Sequence, residues 1–378
     1  MSHPETPNVT PRDGIAQHPA SRPSADDLGW QALLEVHQLL EIDDAHTVWH
    51  ADGFTWRPHR LAQRFRFEGP VAFDGVPTWW VGVDTACLRG VDPKSGRVLA
   101  WIAEQNAAHG LGALALEGNR VRCRARVAVR PDSTSERARL LAAWATVSNL
   151  FAHGQAQALD EGLAAALASP ALELDAGDEP VGGDGDGLRD ALVRTVARAA
   201  GAAVPDRVQD LGGVVQVGLL HGGWVTGDPR AGWVRVRFAW GRQGLRETPF
   251  GGVVFREFSD NPPVVELWAE GGVRHPLLGA GTLVRLVVPA PARFSMAAGV
   301  RWANRLNLAE HEAQLVMSSL GAWAWRPAAE GEGAAWVWGA LFPDAAAYPK
   351  LPGLEVKEAI ARAHWFVGGP GRGLRPGG

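Results

Sequence analysis

The spacing of apolar residues along the chain alternates between a helical and an extended pattern. After Asp26 and Asp27 the apolar positions recur at helical spacing up to residue 40, which predicts a first helix capped by one of these aspartates. Segments 64–67 and 79–83 are short alternating or continuous apolar runs bounded by Gly, Pro and Asp residues. Such runs predict β-strands, so we expect a helix followed by strands in this region.

A middle helix, a hairpin and a long helix are predicted next. Ser95 is placed to cap a helix that carries Trp101. Segments 111–116 and 121–129 flank a Gly-Asn pair, which favours a tight hairpin turn. In segment 132–151 the apolar positions return to helical spacing, which predicts a long helix.

The second half of the chain repeats this plan. We predict a helix at 187–202, strands up to about residue 290, a helix from Ser295, a hairpin at 321–342 and a final helix at 353–366. The two halves also match in sequence, and the matched segments are 64–67 with 235–238, 97–106 with 298–307, Gly112-Ala113 with Gly321-Ala322, and 149–154 with 364–369. In the second of these matches Trp101 corresponds to Trp302 and Asn106 to Asn307. These features predict a tandem duplication of one structural module.

The predicted fold class is α+β, with two tandem modules that each pack a twisted antiparallel sheet against helices in the order α-βββ-α-ββ-α. We expect a disordered tail at 1–25, a first module at 26–168, an acidic Gly-rich linker at 169–186, a second module at 187–368 and a flexible tail at 369–378. The first tail is assigned because it has almost no large apolar residues, so burial would not offset its loss of chain entropy.

This order of elements, with a Trp and an Asn on the middle helix, resembles the YbjN family and the type III secretion chaperones. The resemblance is carried by residues 101–106 with Gly112-Ala113, and by residues 302–307 with 321–323 and the hairpin 335–342. It implies an α+β sandwich that holds an extended segment of another protein. Because those chaperones are commonly dimers of one module, it also implies that the two modules form a pseudo-dimer within one chain.

Charge and composition narrow the classes of partner. The 378 residues include 37 basic and 41 acidic side chains, and this net charge of -4 does not favour nucleic acid as the partner. Arginine and tryptophan interleave at 233–238, a pattern that suits single-stranded nucleic acid, but the acidic balance weighs against that interpretation. The 17 tryptophans are the unusual feature of the composition.

Cysteine usage and hydropathy favour a cytoplasmic protein. Cys87 and Cys123 are the two cysteines, which excludes a disulfide framework and leaves a single bridge open. The N-terminal segment lacks the basic start and apolar core of a signal peptide, and no run of 18 uncharged apolar residues occurs. We therefore expect neither standard secretion nor membrane spanning.

One predicted strand carries a row of arginines. In segment 121–130 apolar residues alternate with Arg122, Arg124, Arg126 and Arg130, so one face is apolar and the other is cationic. Adjacent arginines can bind the carboxylates of a partner bidentately, which makes Arg122, Arg124 and Arg126 candidate partner-binding residues. The alternative is an ordinary solvated sheet face.

The corresponding hairpin of the second half carries four tryptophans in one phase. Trp323 and Trp325 lie on its first strand, and Trp336 and Trp338 lie on its second. Four indoles on paired strands predict an aromatic surface for a peptide or for the other module, so these are further candidate partner-binding residues. The alternative is packing beneath a helix.

The sequence predicts no metal ligands. His311 is followed by Glu312 but not by the second His of a zinc-protease helix. Segment 184–187 begins like a calcium loop and then departs from it at the turn and at the twelfth position. The other closely spaced histidines lack cysteine or acidic ligands at a fixed spacing, namely His46, His50 and His59.

The sequence likewise predicts no catalytic or cofactor-binding residues, because it has no nucleophile elbow, no P-loop and no dinucleotide fingerprint after a strand. We expect a non-enzymatic protein- or peptide-binding module, either chaperone-like or a regulatory adaptor, in which apolar anchors grip an extended segment and arginines select acidic stretches. The alternatives are an enzyme without a recognisable local motif that acts on a small molecule, and a structural subunit with a large apolar interface.

Overall fold

A computed structural model describes the following residues: 27–42, 44, 47–56, 62–73, 75–109, 112–131, 137, 138, 141, 142, 173, 174, 211, 215, 224–239, 242–248, 251–257, 264–275, 279–292, 294–312, 318–330, 332–343, 359, 362, 363, 365 and 366. The helices with defined bounds are α1 Leu28–Leu39, α2 Gly96–His109 and α3 Met296–Glu312. The strands are β1 Thr47–His50, β2 Gly53–Trp56, β3 Gln63–Phe73, β4 Val76–Arg89, β5 Ala113–Glu117, β6 Arg120–Val129, β7 Glu173–Leu174, β8 Trp224–Asp228, β9 Trp233–Ala239, β10 Arg242–Thr248, β11 Gly251–Glu257, β12 Val264–His275, β13 Gly279–Pro289, β14 Ser318–Ser319, β15 Ala322–Arg326 and β16 Ala335–Pro343. The predicted α+β class is confirmed.

Two antiparallel sheets form most of the described structure. The first has eight strands, with the order β1-β2-β3-β4-β6, both β5 and β14 on the far side of β6, and β7 beside β4. The second has six strands in the order β8-β9-β12-β13-β16-β15, and β10 pairs with β11 as a separate hairpin between β9 and β12. Across the first sheet the strands lie in the order β1-β2-β3-β4-β6-β5, and across the second in the order β8-β9-β12-β13-β16-β15. In both sheets the last two strands are reversed relative to their order in the sequence, so the two sheets have the same strand connectivity.

The helices begin where their caps predict. The Asp27 carboxylate accepts hydrogen bonds from the backbone N–H groups of Gly29 and Trp30 at 2.9 and 3.1 Å. Ser95 and Ser295 cap α2 and α3 in the same way, because each hydroxyl accepts from the backbone N–H three residues later at 3.3 Å. Within the described residues, none of the helices is both long enough and apolar enough to cross a bilayer.

The helices pack so that α2 and α3 connect the two sheets. Helix α1 packs against β3 and β4 of the first sheet. Helices α2 and α3 contact each other, and each of them contacts both β5 of the first sheet and β15 of the second. The inner edges of the two sheets therefore meet at this pair of helices.

The predicted order of strands needs two corrections. Four strands precede α2 instead of three, because β1 and β2 form a hairpin of four-residue strands that is too short to show an alternating pattern. The proposed match of 64–67 with 235–238 joins β3 to β9, whereas β12 occupies the position of β3 in the second sheet. Alternation of Arg with apolar residues recurs on neighbouring antiparallel strands, so it does not identify one particular strand.

Several predicted elements lie wholly or partly outside the described residues. Residues 137, 138, 141 and 142 of the predicted helix 132–151 are helical, and so are residues 359, 362, 363, 365 and 366 of the final helix. The predicted helix 187–202 and the two tails lie outside the described part. Within the predicted linker, Glu173 and Leu174 form β7 against β4.

Candidate functional site

The arginines of β6 are paired with carboxylates of neighbouring strands. Asp84 of β4 lies opposite Arg124, and its two oxygens accept from Nε of Arg122 at 2.9 Å and Nε of Arg124 at 3.1 Å. Arg124 also donates to Glu117 of β5 at 2.5 Å. The predicted separation of an apolar and an arginine-bearing face is therefore correct, but Asp84 and Glu117 neutralise much of its charge.

Arg126 is not part of an exposed cationic row, which corrects the sequence expectation for this residue. It is 8% exposed, and its guanidinium lies 4.5 Å from the centre of the Trp80 ring. Burial lowers the pKa of Arg126, while Glu68 and Glu310 favour its charged form. Arg126 is thus a buried residue on the arginine-bearing face of the first sheet.

The four tryptophans of the β15–β16 hairpin are buried, so the expected aromatic surface is wrong and the alternative of packing beneath a helix is confirmed. Trp323 lies opposite Trp338 and Trp325 opposite Trp336, which puts all four indoles on one face. An ideal Cβ on Gly299 of α3 would lie 2.1 Å from the Trp325 ring, so the helix sits directly on the indoles.

Polar groups contact three of these four indoles. The Trp336 Nε1 donates to the Gly299 carbonyl at 3.2 Å, and the Trp323 Nε1 donates to Glu310 at 2.7 Å. Glu310 also accepts from Arg362 at 2.6 Å, and the Arg362 guanidinium lies 4.1 Å from the centre of the Trp338 ring. A partner would have to displace α3 to reach these side chains.

Asparagines on α2 and α3 close the inner edges of both sheets. Asn106 donates to the Leu114 carbonyl at 2.9 Å and accepts from the Leu114 N–H at 3.0 Å. Asn307 makes the same two bonds with Trp323, at 3.0 and 2.7 Å. Each amide therefore takes the place of a neighbouring strand along an otherwise open edge.

A third asparagine forms hydrogen bonds between the two halves of the chain. Asn304 of α3 donates to the Leu116 carbonyl of β5 at 3.0 Å and accepts from the Leu116 N–H at 2.7 Å. All of these groups are buried. The matched position on α2 is Ala103, whose methyl side chain cannot form hydrogen bonds with β15.

The outer face of the second sheet carries three tryptophans that remain accessible. Trp224 is 61% exposed, Trp233 42% and Trp268 37%. We name this surface the tryptophan face and define it by three rows of laterally paired residues, which are Trp224-Arg237-Glu266, Thr226-Arg235-Trp268-Arg285 and Asp228-Trp233-Glu270. From the usual strand spacing, the three tryptophan Cα atoms are about 8 to 14 Å apart.

Arg235 stands between the three tryptophans and is held on two sides. Its guanidinium lies 4.6 Å from the centre of the Trp268 ring, and its Nη2 lies 2.7 Å from both carboxylate oxygens of Glu266. Glu266 also faces the Nε of Arg237 at 3.2 Å. The inward-facing residues of the same strands, such as Val234 and Val236, are buried, so a rigid sheet supports the face.

Sequence reasoning missed the tryptophan face, although a signal for it was present. Trp233 shares its phase with Arg235 and Arg237, and Trp268 shares its phase with Glu266 and Glu270. A tryptophan in the polar phase of an alternating strand indicates an exposed indole. The interleaving at 233–238 therefore fits an exposed sheet face and is not specific to nucleic acid.

The described residues contain no group of three or more His, Cys, Asp and Glu side chains placed to hold a metal ion. His46 and His59 lie outside the described part, and His50 is within hydrogen-bond distance of the Thr55 hydroxyl at 2.9 Å. His311 is mostly buried near Arg124 and Arg126, and burial followed by these two charges lowers its pKa to about 3. Comparison of the chain with protein-family models, with curated proteins and with solved structures found no match.

Proposed function

We propose that this chain is a non-enzymatic binding protein, chaperone-like or a regulatory adaptor, that holds an extended segment of another protein on the tryptophan face. The observation that carries the proposal is the presence of three partly exposed tryptophans on one sheet face. Scattered exposed apolar residues are normal, whereas a cluster of them is typical of an interaction site.

The chemistry of the face suits protein recognition. Tryptophan and arginine are, with tyrosine, the residues enriched among those that dominate binding energy at interfaces. Arg235 is already ordered by Glu266 and Trp268, so a partner would not have to immobilise it. Binding to such a pre-organised surface loses less side-chain entropy than binding to a mobile one.

The dimensions of the face favour an extended segment over a globular partner. The three tryptophans lie on the adjacent strands β8, β9 and β12, a width of about 10 Å. A standard globular interface buries about 800 Å² on each partner, which needs a larger area. A segment lying along the strands would cover all three indoles with a few residues.

We infer that the two halves are tandem copies of one module, arranged as a pseudo-dimer. The support is the shared strand path of the two sheets and the equivalent contacts of Asn106 and Asn307. The four strands before α2 depart from the order on which the resemblance to YbjN and type III chaperones rests. The proposal of a chaperone-like module therefore relies on the paired halves and not on strand count.

We also propose a reducing, cytoplasmic setting. Cys87 and Cys123 are both buried, and no disulfide joins them. Burial, followed by the nearby Cys123 and Asp84, raises the pKa of the Cys87 thiol, which makes it unreactive. Cysteines of this kind are typical of proteins that do not rely on disulfides.

A photo-crosslinking residue in place of Thr226 tests the proposed function, because Thr226 lies in the middle row of the face. The crosslinked protein is identified from native cells and purified, and its Kd for the full chain is measured. We expect the double variant Trp224→Ser/Trp268→Ser to weaken binding at least about tenfold, as loss of interface anchors does.

The matched control is Val48→Ser/Val76→Ser, which removes two exposed apolar side chains from the first sheet. It should leave the Kd unchanged. Thermal unfolding of each variant verifies that it is folded. If the tryptophan variant binds as tightly as the wild type, the tryptophan face is not the binding surface.

A further inference from the structure

Charge is unevenly distributed along the tryptophan face. Its first two rows contain three arginines and one carboxylate, a formal charge of +2 (3 − 1). Its third row contains two carboxylates, Asp228 and Glu270, on either side of Trp233. The end that carries Trp224 and Trp268 is therefore basic and the end that carries Trp233 is acidic.

The arginines of the basic end retain hydrogen-bonding capacity. Glu266 is shared between Arg235 and Arg237, which contact it through one Nη and one Nε respectively. Each guanidinium has five N–H donors, so several donors of this pair remain for a ligand. Arg285, opposite Trp268, is exposed and makes no hydrogen bond or ion pair with any described residue.

We propose that the segment bound on the tryptophan face is acidic, with its carboxylates over the first two rows and an apolar side chain between Trp224 and Trp268. This inference rests on the proposed function, since it assumes that the face binds a polypeptide. Guanidinium groups bind carboxylates with paired, charge-assisted hydrogen bonds, and the indoles supply the apolar contact. Asp228 and Glu270 repel an acidic residue in the third row, which confines the acidic stretch to one end of the segment.

Three fluorescein-labelled peptides test the preference against the full-length protein by fluorescence anisotropy. The acidic probe is Gly-Asp-Glu-Leu-Trp-Asp-Gly, the uncharged probe replaces its acids with Asn and Gln, and the basic probe replaces them with Lys. We expect the acidic probe to bind at least tenfold more tightly than the uncharged one, and this advantage to shrink in about 0.3 M NaCl. The basic probe should bind most weakly.

Arginine variants identify the source of the preference. Arg237→Gln/Arg285→Gln should bind the acidic and uncharged probes equally. The matched control Arg301→Gln/Arg305→Gln removes two exposed arginines from α3 and should keep the preference. Trp224→Ser/Trp268→Ser should weaken binding of every probe.

The outcomes separate this inference from the proposed function. Equal binding of the acidic and uncharged probes, with both lost in the tryptophan variant, would overturn the acidic preference and leave the binding face intact. A preference that persists in Arg237→Gln/Arg285→Gln would overturn it as well. If the wild type binds none of the probes, the inference fails, and the Thr226 crosslinking experiment alone decides the proposed function.

Discussion

His311 sits among groups that disfavour its protonated form. It lies in the last turn of α3, mostly buried, and faces Arg66 of β3, Asp84 of β4, and Arg124 and Arg126 of β6. Burial is the largest cause of its lowered pKa, and the arginines outweigh Asp84. The sequence places His311 on a helix but gives no sign of these neighbours, because they come from strands of the first sheet, far away in the sequence.

We expect His311 to make folding stability depend on pH. Its pKa is lowered to about 3 in the folded state, while an unfolded chain has a His pKa of about 6.5. Between these values the unfolded chain binds a proton that the folded chain does not, so stability falls as the pH drops below about 6.5, by up to about 1.4 kcal/mol per pH unit. Urea unfolding from pH 7 to 4 should therefore show a steeper loss for the wild type than for His311→Gln. Parallel curves would mean that the pKa of His311 is not lowered in the folded protein.

At the level of elements, helix α3 owes its close packing on β15 to one glycine. Gly299 accepts the Trp336 Nε1 hydrogen bond and lies against the Trp325 ring. The strands β15 and β16 alternate tryptophan with alanine, valine and glycine, so both phases are apolar and the pattern does not identify the covered face. On β6, by contrast, alternation of Arg with apolar residues correctly identified the inner face.

Gly299→Ala should destabilise the protein. The new Cβ would lie 2.1 Å from the Trp325 ring, which is fixed in the core, and overpacking of this kind costs about 1–3 kcal/mol. Alanine's higher helix propensity offsets about 1 kcal/mol of this cost. Guanidinium midpoints measure the difference.

The control for this substitution is Gly96→Ala at the start of α2, where a new Cβ would meet no atom within 4 Å. It should leave the midpoint unchanged or raise it slightly. If both variants unfold at the wild-type midpoint, then α3 can move away from β15 at little cost.

At the level of the whole molecule, the two sheets share α2 and α3, so neither sheet is complete without the other half. Both helices contact β5 and β15. Local patterns and caps predicted these helices and both hairpins, since the signals lie within a few residues. Contacts such as Asn304 with Leu116 join positions 188 residues apart, and no local pattern encodes them.

Asn304→Ala should weaken both sheets together. It leaves the buried N–H and carbonyl of Leu116 without their asparagine partner, at a cost of about 1–3 kcal/mol for each group. Hydrogen exchange should accelerate on β6 and on β13 alike, and denaturant should still give one unfolding transition. Arg301→Ala, an exposed site on α3, serves as the control and should stay within about 0.5 kcal/mol of wild type.

Two separate transitions, or faster exchange confined to the first sheet, would contradict this prediction. The halves would then fold as independent units. The tryptophan face lies near the edge of the second sheet that is far from β15. The exposure of its tryptophans should therefore not change in either case.

The contact between the two halves is asymmetric, because Asn304 binds the edge of the first sheet while the matched Ala103 cannot bind the edge of the second. A pairing of two first halves would present Ala103 to both inner edges and leave the Leu116 peptide group uncovered twice. A first half therefore pairs better with a second half than with another first half, whether that second half belongs to the same chain or to another copy. Joining both in one polypeptide gives the second half a high effective concentration, and the mismatch disfavours pairing between the first halves of different molecules.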